Sequence, residues 1–419
     1  MVERKIMENK KTFINNTIAL YAMNIVKLIF PFLTLPYLTR VLSTSGYGVV
    51  TYVKAVIVYA QLFIDFGFML SATKKIVCSD GDKNKIGIIT GDTIIEKILL
   101  SVFATFIYVI LMFIIPIMKA NVLFCSLYLL SVLVQIFIFD FLFRGIEKMH
   151  LISIPYVVSK SLTTGLTFFL VKSDNDLNAI VALEVIGNFL AAIISCYFVK
   201  NIGIKIRFSN AKNLLIDLKE SSVYFLSNFA TTIFGALTTV VAGLYLNITY
   251  VAYWGICMQL LSAAKSLYNP ITNSIYPHMI KNKDLKLVKK VNLFMSIPIV
   301  IGSIIILFGG DIIMEIIGGP QYRSAGVILK FLLPAFICSF YSMMYGWPVL
   351  GSINKVKETT FTTVISAIVQ FVCLIVMIIS NNFTIILLAI SCSISEIALL
   401  LTRYRLFLKY KSLFTGDLK

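Results

Sequence analysis

The stretch FPFLTLPYLTRVLSTSGYGVVTYVKAVIVYAQLFIDFGFMLSATKK, residues 30–75, indicates the fold class of the chain. Its pattern predicts the end of one apolar helix, a tight turn at residues 43–46, and a second apolar helix that ends at DFGF, residues 65–68. Pro31 and Pro36 remove backbone N–H donors, which a helix in hydrocarbon tolerates only where neighbouring helices or water satisfy the freed carbonyl groups. We therefore expect this hairpin to line a polar cavity inside a membrane.

The rest of the chain is equally apolar. Of the 419 residues, 58% are hydrophobic and 14% are charged, a composition too apolar for a soluble domain. Crossing a bilayer takes about 20 predominantly apolar residues. Windows of that length predict an all-α integral membrane protein of about twelve transmembrane helices. The windows cover residues 13–38, 47–70, 94–115, 122–143, 152–171, 177–199, 223–246, 251–272, 291–308, 325–347, 361–379 and 383–402.

Basic residues indicate how these helices are oriented. Of the 37 Lys and Arg residues, 27 lie in the two termini and the connections on the same side, and only 4 lie in the connections on the other side. Cytoplasmic loops carry such an excess, so both termini are predicted to be cytoplasmic. The formal charge of +17 therefore suits anionic lipid headgroups and does not predict a nucleic-acid partner.

The longest inner connection divides the chain into two halves. Ile202, Ile204 and Ile206 alternate with small and basic residues, and leucines follow at helical spacing, which predicts an amphipathic element on the inner leaflet. An even number of helices in each half suits a transporter of two parallel repeats with its substrate site between them. We predict an N-terminal six-helix bundle (residues 1–200), a cytoplasmic amphipathic connector (residues 201–222) and a C-terminal six-helix bundle with a short basic cytoplasmic tail (residues 223–419).

The sequence offers little chemistry for covalent catalysis. Its seven cysteines are scattered singly and it has two histidines, so we expect no metal site. It contains no Walker loop and no nucleophile or metalloprotease motif. No predicted outer connection exceeds about 17 residues, which disfavours a membrane polymerase or ligase with a long acceptor-binding loop. We therefore predict that the protein is not an enzyme and has no cofactor.

Four cations within or beside the predicted membrane helices are the candidate substrate-binding residues: Arg40, Lys27, Lys54 and Lys265. A charge that faces lipid costs roughly 2.5 to 3.5 kcal/mol, so four of them favour a shared aqueous cavity. Excess cation suits an anionic ligand, and phosphate is the natural one because Lys and Arg bind it well. The alternative is that Lys27 and Lys54 pair internally with Asp65 or Glu184 as packing contacts.

Three motifs lie in the first 150 residues. They are Pro31-x4-Pro36-Tyr37-Leu38-x-Arg40-Val41-Leu42-x4-Tyr47-Gly48, then Asp65-Phe66-Gly67-Phe68 with Ser71-Ala72-Thr73, and Asp140-x2-Phe143-Arg144-Gly145-x-Glu147. They resemble the polysaccharide-transporter family, the bacterial flippases of O-antigen and capsule repeat units. That family belongs to the superfamily that also contains multidrug extruders and the lipid II flippase. One departure is Ser43, where the family often has Gly.

The resemblance implies a V-shaped pair of six-helix bundles in the bacterial cytoplasmic (inner) membrane. Such a protein moves an undecaprenyl-pyrophosphate-linked oligosaccharide from the inner to the outer leaflet by alternating access. Its implied partners are this lipid, the bilayer, and the polysaccharide polymerase and glycosyltransferases of the same pathway. Family cavities hold the pyrophosphate with basic side chains, which matches the four candidate cations by position.

A gradient of protons or sodium could drive such transport, and three acids are coupling-ion candidates: Asp65, Glu96 and Glu184. The alternative function is a cation-coupled multidrug extruder of the same fold. An extruder of cationic drugs predicts acidic residues in its cavity, whereas the predicted membrane helices carry an excess of lysine.

Overall fold

The computed structural model describes residues 23–414, apart from the side chains of residues 211, 227 and 230–234. Within this part of the chain the secondary structure is helical, with no strand. The chain divides into two compact units, Met1–Ile233 (unit 1) and Phe234–Lys419 (unit 2). The predicted boundaries at residues 200 and 222 precede this division, and the three-part organisation stays a prediction.

Unit 1 begins, in its described part, with α1 over residues 23–41. Helix α8 (His150–Leu170) packs on α9 (Leu177–Ile202), and α6 (Val122–Val134) packs on the same helix. Helix α3 (Phe68–Val77) packs on both α4 (Lys83–Ile114) and α7 (Asp140–Gly145). The last helix, α10, starts in unit 1 and contains the boundary with unit 2. The named helices are α2 (Thr44–Asp65), α3 (Phe68–Val77), α4 (Lys83–Ile114), α5 (Pro116–Lys119), α6 (Val122–Val134), α7 (Asp140–Gly145), α8 (His150–Leu170), α9 (Leu177–Ile202) and α10 (Ala211–Tyr245).

Unit 2 is organised around α13 (Gly326–Met344), which packs on α11 (Ile248–Asn282), α12 (Leu285–Gly318) and α15 (Ile385–Tyr410). Helix α14 (Val356–Ile379) packs on α15. A short π-helical turn, Tyr345–Leu350, follows α13. The helices are α11 (Ile248–Asn282), α12 (Leu285–Gly318), α13 (Gly326–Met344), α14 (Val356–Ile379) and α15 (Ile385–Tyr410).

The helices confirm a multi-pass membrane protein. Each apolar window of the sequence overlaps a helix, and eight described segments are long and apolar enough to cross a membrane. The count of twelve spans and the orientation of the termini stay predictions. The eight segments are Thr44–Val77, Lys83–Ile114, Val122–Gly145, Asp174–Ile202, Leu285–Gly318, Pro320–Ile353, Val356–Ile379 and Ile385–Phe414.

The second and third motifs meet in the core of unit 1. Phe68 and Ala72 of α3 pack with Phe143 of α7 in one cluster of buried apolar side chains. The Thr73 hydroxyl donates to the Phe141 carbonyl at 3.1 Å. The first motif is anchored elsewhere in the same unit, since the Tyr37 hydroxyl donates to the carbonyls that end α8, including that of Val171 at 2.7 Å.

The predicted connector begins as an extended strap on α4. Gly87 and Gly91 lie one turn apart on α4, and a Cβ at either position would overlap the carbonyl of Lys205 or Arg207. The Arg207 backbone N–H donates to the Gly87 carbonyl at 3.1 Å. Glycine is therefore needed here because two backbones approach each other closely. Phe208 at the end of the strap is 71% exposed, and contact of this segment with the inner leaflet stays a prediction.

The turn in the opening stretch is short, because α2 already begins at Thr44. Ser43 caps α2: its hydroxyl oxygen accepts from the Gly46 N–H at 3.0 Å, and its own N–H donates to Asp174 Oδ1 at 2.8 Å. The first bond closes the turn, and the second ties it to the segment that precedes α9.

Changing Ser43 tests this cap. We expect Ser43→Ala to lower the free energy of unfolding by about 1 kcal/mol, and Ser43→Gly by only a few tenths, because glycine is tolerated at helix N-caps. Unfolding of the purified protein by SDS titration in mixed micelles measures both values. Equal losses for the two variants would show that the hydroxyl contributes no cap.

Candidate functional site

An ion pair between a buried lysine and a half-exposed aspartate lies at the end of α2 in unit 1. Lys97 Nζ donates to Asp65 Oδ1 at 2.9 Å, and the side chain of Lys97 is 8% exposed while that of Asp65 is 50% exposed. The same ammonium lies 5.9 Å from the centroid of the Phe141 ring. Asp65 is positioned by the break at the DFGF motif, where Phe66 has a left-handed backbone (φ 35°) that ends α2. Its partner is therefore Lys97, which is not one of the four candidate cations.

Lys27 lies on α1, exposed, with its ammonium 5.0 Å from the centroid of the Tyr156 ring. It interacts electrostatically with Asp140 and Arg144 of the third motif. Asp140 also interacts with Lys97, so the charged residues of α1, α4 and α7 belong to one network. A cation over an aromatic face can still take an anion on its other side.

The coupling-ion candidate Glu96 is 1% exposed, and its Oε1 has no hydrogen-bond partner in the described structure. It interacts electrostatically with Asp92 on its own helix, Lys75 on α3 and Asp217 on α10. Lys75 is engaged by two acids of α10, with Nζ 2.5 Å from Asp217 Oδ1 and 3.1 Å from Glu220 Oε2. Burial without a partner is costly for a carboxylate, so this acid is the least satisfied of the three candidates.

Glu184, the third coupling-ion candidate, is half-buried on α9. It shares a side-chain hydrogen bond with the buried Tyr128 and interacts electrostatically with Tyr156, the residue beneath Lys27. Glu184 is therefore held by tyrosines, and the internal pairing of Asp65 or Glu184 with Lys27 or Lys54 is not among the ion pairs of the described residues.

Arg40 and Lys54 are both exposed, Arg40 at the end of α1 and Lys54 in the middle of α2. Both lie in unit 1 with Lys27, whereas Lys265 lies in unit 2. The convergence of all four cations on one cavity therefore stays a prediction.

Lys265 is the centre of the charged network of unit 2. Its Nζ donates to Glu396 Oε2 at 2.7 Å, and the side chains are 36% and 13% exposed. The other carboxylate oxygen, Oε1, accepts from the Ser342 hydroxyl at 2.8 Å. Lys265 is thus held in a direct ion pair, and more than a third of its side chain stays accessible to a ligand.

Sequence reasoning missed Arg403, which was counted with the basic tail. It lies inside α15, is 8% exposed, and donates hydrogen bonds to Ser342, Thr362 and Thr363. Its spacing from Glu396, seven residues or two helical turns, was the available signal, because residues so spaced share a helix face. The pairing of Lys97 with Asp65 has no signal of this kind, because the two residues lie on different helices.

The charged side chains described above can bind anions and can exchange a proton or a cation. Among residues 23–414 no group of three or more His, Cys, Asp or Glu side chains is placed to bind a metal ion. The exposed ammonium groups can bind phosphate oxygens, and the buried carboxyl of Glu96 can exchange a proton or a cation.

Comparison with known proteins supports the resemblance. Residues 13–283, more than half of the chain, match the model of a family described as "Polysaccharide biosynthesis protein". A protein of Shigella dysenteriae named "Putative O-antigen transporter" is 29% identical over 370 residues, covering 85% of this chain and 90% of the relative. A protein of Escherichia coli K12 with the same name is 26% identical over 410 residues, covering 94% and 98%.

Solved structures show the same fold at low sequence identity. The lipid II flippase MurJ in an inward closed conformation has a TM-score of 0.67 at 15% identity, covering 95% of this chain and 87% of MurJ. An inward-facing multidrug resistance MATE family transporter of the MOP superfamily has a TM-score of 0.64 at 13% identity, covering 94% and 98%. The match of the family model over residues 13–283 shows that the chain belongs to the polysaccharide biosynthesis protein family.

Proposed function

We propose that the protein is a flippase of lipid-linked oligosaccharides. It moves undecaprenyl-pyrophosphate-linked repeat units from the inner to the outer leaflet of the bacterial cytoplasmic membrane by alternating access. One observation carries this proposal: relatives named as O-antigen transporters align with nearly the whole chain, both compact units included. The fold shared with a lipid II flippase supports the same class of substrate.

The charges of the chain fit such a substrate. Two phosphates and a sugar headgroup cannot enter hydrocarbon unaided, because desolvating charged and polar groups is costly. The exposed side chains of Lys27, Lys54 and Arg40, with the partly exposed Lys265, supply counter-charge along the route, while the polyprenyl tail stays in lipid. In this proposal twelve helices span the membrane, both termini are cytoplasmic, and polymerase and glycosyltransferases work on either side of the transport step.

A proton or sodium gradient drives transport in this proposal, and Glu96 is the favoured site among the three acids. Lys97 neutralises Asp65, and Tyr128 holds Glu184, whereas Glu96 Oε1 has no partner among the described residues. Glu96→Gln is therefore the variant to compare with wild type in proteoliposomes under imposed gradients. Flux that does not respond to either gradient would refute this coupling.

The transport proposal is tested by deleting the gene and complementing the deletion. Without the protein, polyprenyl-pyrophosphate oligosaccharide should accumulate with its sugar on the cytoplasmic side, and surface polysaccharide should disappear. Lys27→Ala and Lys265→Ala should each reduce complementation roughly 10-fold or more, since a hydrogen bond to a charged group contributes about 1.5–3 kcal/mol. Lys119→Ala, which removes an exposed lysine of a predicted outer connection, is the matched control and should complement fully.

The measured quantities are the lipid-linked oligosaccharide on each membrane face and the surface polymer. Normal amounts of both in the deletion strain, with altered resistance to cationic drugs, would favour the multidrug extruder instead. Full complementation by both lysine variants would leave the flippase but remove these two residues from its site.

A further inference from the structure

The helix α13 ends in a break that lies within a segment long and apolar enough to span the membrane. The π-helical turn Tyr345–Leu350 follows Met344, and Gly346 within it has a non-helical backbone (φ −73°, ψ −110°). Breaks of this kind leave backbone carbonyls that need other donors, and they recur at functional sites. At this break a side chain is an additional donor: Arg403 Nη1 donates to the Ser342 carbonyl at 2.6 Å, and this carbonyl also accepts from the Tyr345 backbone N–H.

Arg403 is itself held by a neighbouring helix. Its Nε donates to Thr362 Oγ1 at 3.2 Å and its Nη2 to Thr363 Oγ1 at 3.1 Å, both on α14. Gly346 makes room for the guanidinium, because a Cβ at this position would lie 2.8 Å from Arg403 Nη1. The buried guanidinium therefore fastens α14 and α15 to the break in α13.

Ser342 connects this cap to Lys265. Its hydroxyl donates to Glu396 Oε1 at 2.8 Å, and Glu396 Oε2 accepts from Lys265 Nζ at 2.7 Å. The same hydroxyl lies 3.0 Å from the Ser339 carbonyl, a second acceptor within its own helix. The Ser342 hydroxyl therefore holds the Glu396 carboxylate between Lys265 and the turn whose carbonyl Arg403 binds.

We propose that Ser342 and Arg403 are positioning residues that link an anion bound at Lys265 to the break in α13. A phosphate oxygen competes with Glu396 for the ammonium of Lys265. Glu396, deprived of that partner, attracts Arg403, with which it already interacts from two turns away on α15. The guanidinium then leaves the Ser342 carbonyl, and the turn Tyr345–Leu350 loses its cap. The inference rests on the proposed function, since the anion is the phosphate of the substrate.

Trp347 provides a natural reporter, because it lies inside the turn and is 51% exposed. The chain has two tryptophans, and Trp254→Phe leaves Trp347 as the only indole. Trp254 is buried with an indole N–H that has no partner among the described residues, so its replacement by Phe sacrifices no hydrogen bond. The full-length protein with Trp254→Phe is placed in nanodiscs, and iodide quenching of Trp347 is measured with undecaprenyl pyrophosphate or with undecaprenol.

We expect undecaprenyl pyrophosphate to change the quenching constant by roughly two-fold or more, and undecaprenol to leave it unchanged, since only an anion competes for Lys265. Ser342→Ala should abolish this response while radiolabelled undecaprenyl pyrophosphate still binds. Arg403→Lys should make the changed quenching permanent and independent of ligand, because an ammonium cannot replace the guanidinium fork. Ser339→Ala is the matched control: it removes a buried hydroxyl one turn earlier that bonds only its own helix, and should respond as the parent does.

Two results would overturn the link. One is binding of undecaprenyl pyrophosphate by the parent protein without a change in Trp347 quenching, and the other is a full response in Ser342→Ala. Both leave the proposed transport function intact. Absence of binding in the parent protein would instead refute the substrate class, and the link with it.

Discussion

Replacing Asp65 with Asn is expected to lower the free energy of unfolding by about 2 to 3 kcal/mol, because it leaves the ammonium of Lys97 buried without its counter-charge. Removing one partner of a fully buried pair costs about 3–5 kcal/mol, and the half-exposed side chain of Asp65 places this pair below that range. SDS titration of the purified protein measures the loss.

The double variant Asp65→Asn with Lys97→Met separates an unpaired charge from a lost contact. We expect it to recover most of the stability, since a methionine in the Lys97 position is apolar and needs no partner. Glu315→Gln is the matched control, because it breaks the pair with Arg323, whose side chain is 64% exposed, and should cost less than about 1 kcal/mol. A double variant as unstable as Asp65→Asn would show that the ion pair is not the source of the loss.

Gly67→Ala should also be strongly destabilising, by roughly 3 kcal/mol. Gly67 has φ +80°, which costs an L-residue about 1 kcal/mol. A Cβ there would also lie 2.7 Å from the backbone nitrogen of Phe225 and 2.7 Å from Tyr224 Cβ on α10. Overlap with backbone cannot be relieved by rotating a side chain, so it adds about 1–3 kcal/mol.

Gly81→Ala isolates the conformational contribution. Gly81 has the same φ of +80°, but nothing lies within 4 Å of a Cβ at that position. It should therefore show only the conformational cost of about 1 kcal/mol. The difference between the two alanine variants, read from SDS titration midpoints, measures the close approach of α10 to the DFGF motif. Equal losses of stability in the two variants would mean that α10 moves away from the new Cβ at no energetic cost.

The candidate site residues show what a local sequence pattern can predict and what it cannot. Lys265 could be selected because an ammonium in an apolar window is costly and therefore informative. Its partner Glu396 lies 131 residues away on another helix, and no spacing rule connects them. Arg403 looked like the first residue of a basic tail because the apolar window ended before it, whereas α15 continues to Tyr410 and buries it.

The sequence by itself determined the membrane class, the approximate position of the long apolar helices and the family. Each of these depends on composition and short motifs, because hydrocarbon demands long apolar helices wherever the chain crosses it. Tertiary structure decided the ion pairs Asp65–Lys97 and Lys265–Glu396, the strap on Gly87 and Gly91, and the cap that Arg403 provides. The physical reason is that lipid and protein interior are equally apolar, so hydropathy cannot tell which face of a helix meets another helix. Only the packing of distant helices determines which charges meet.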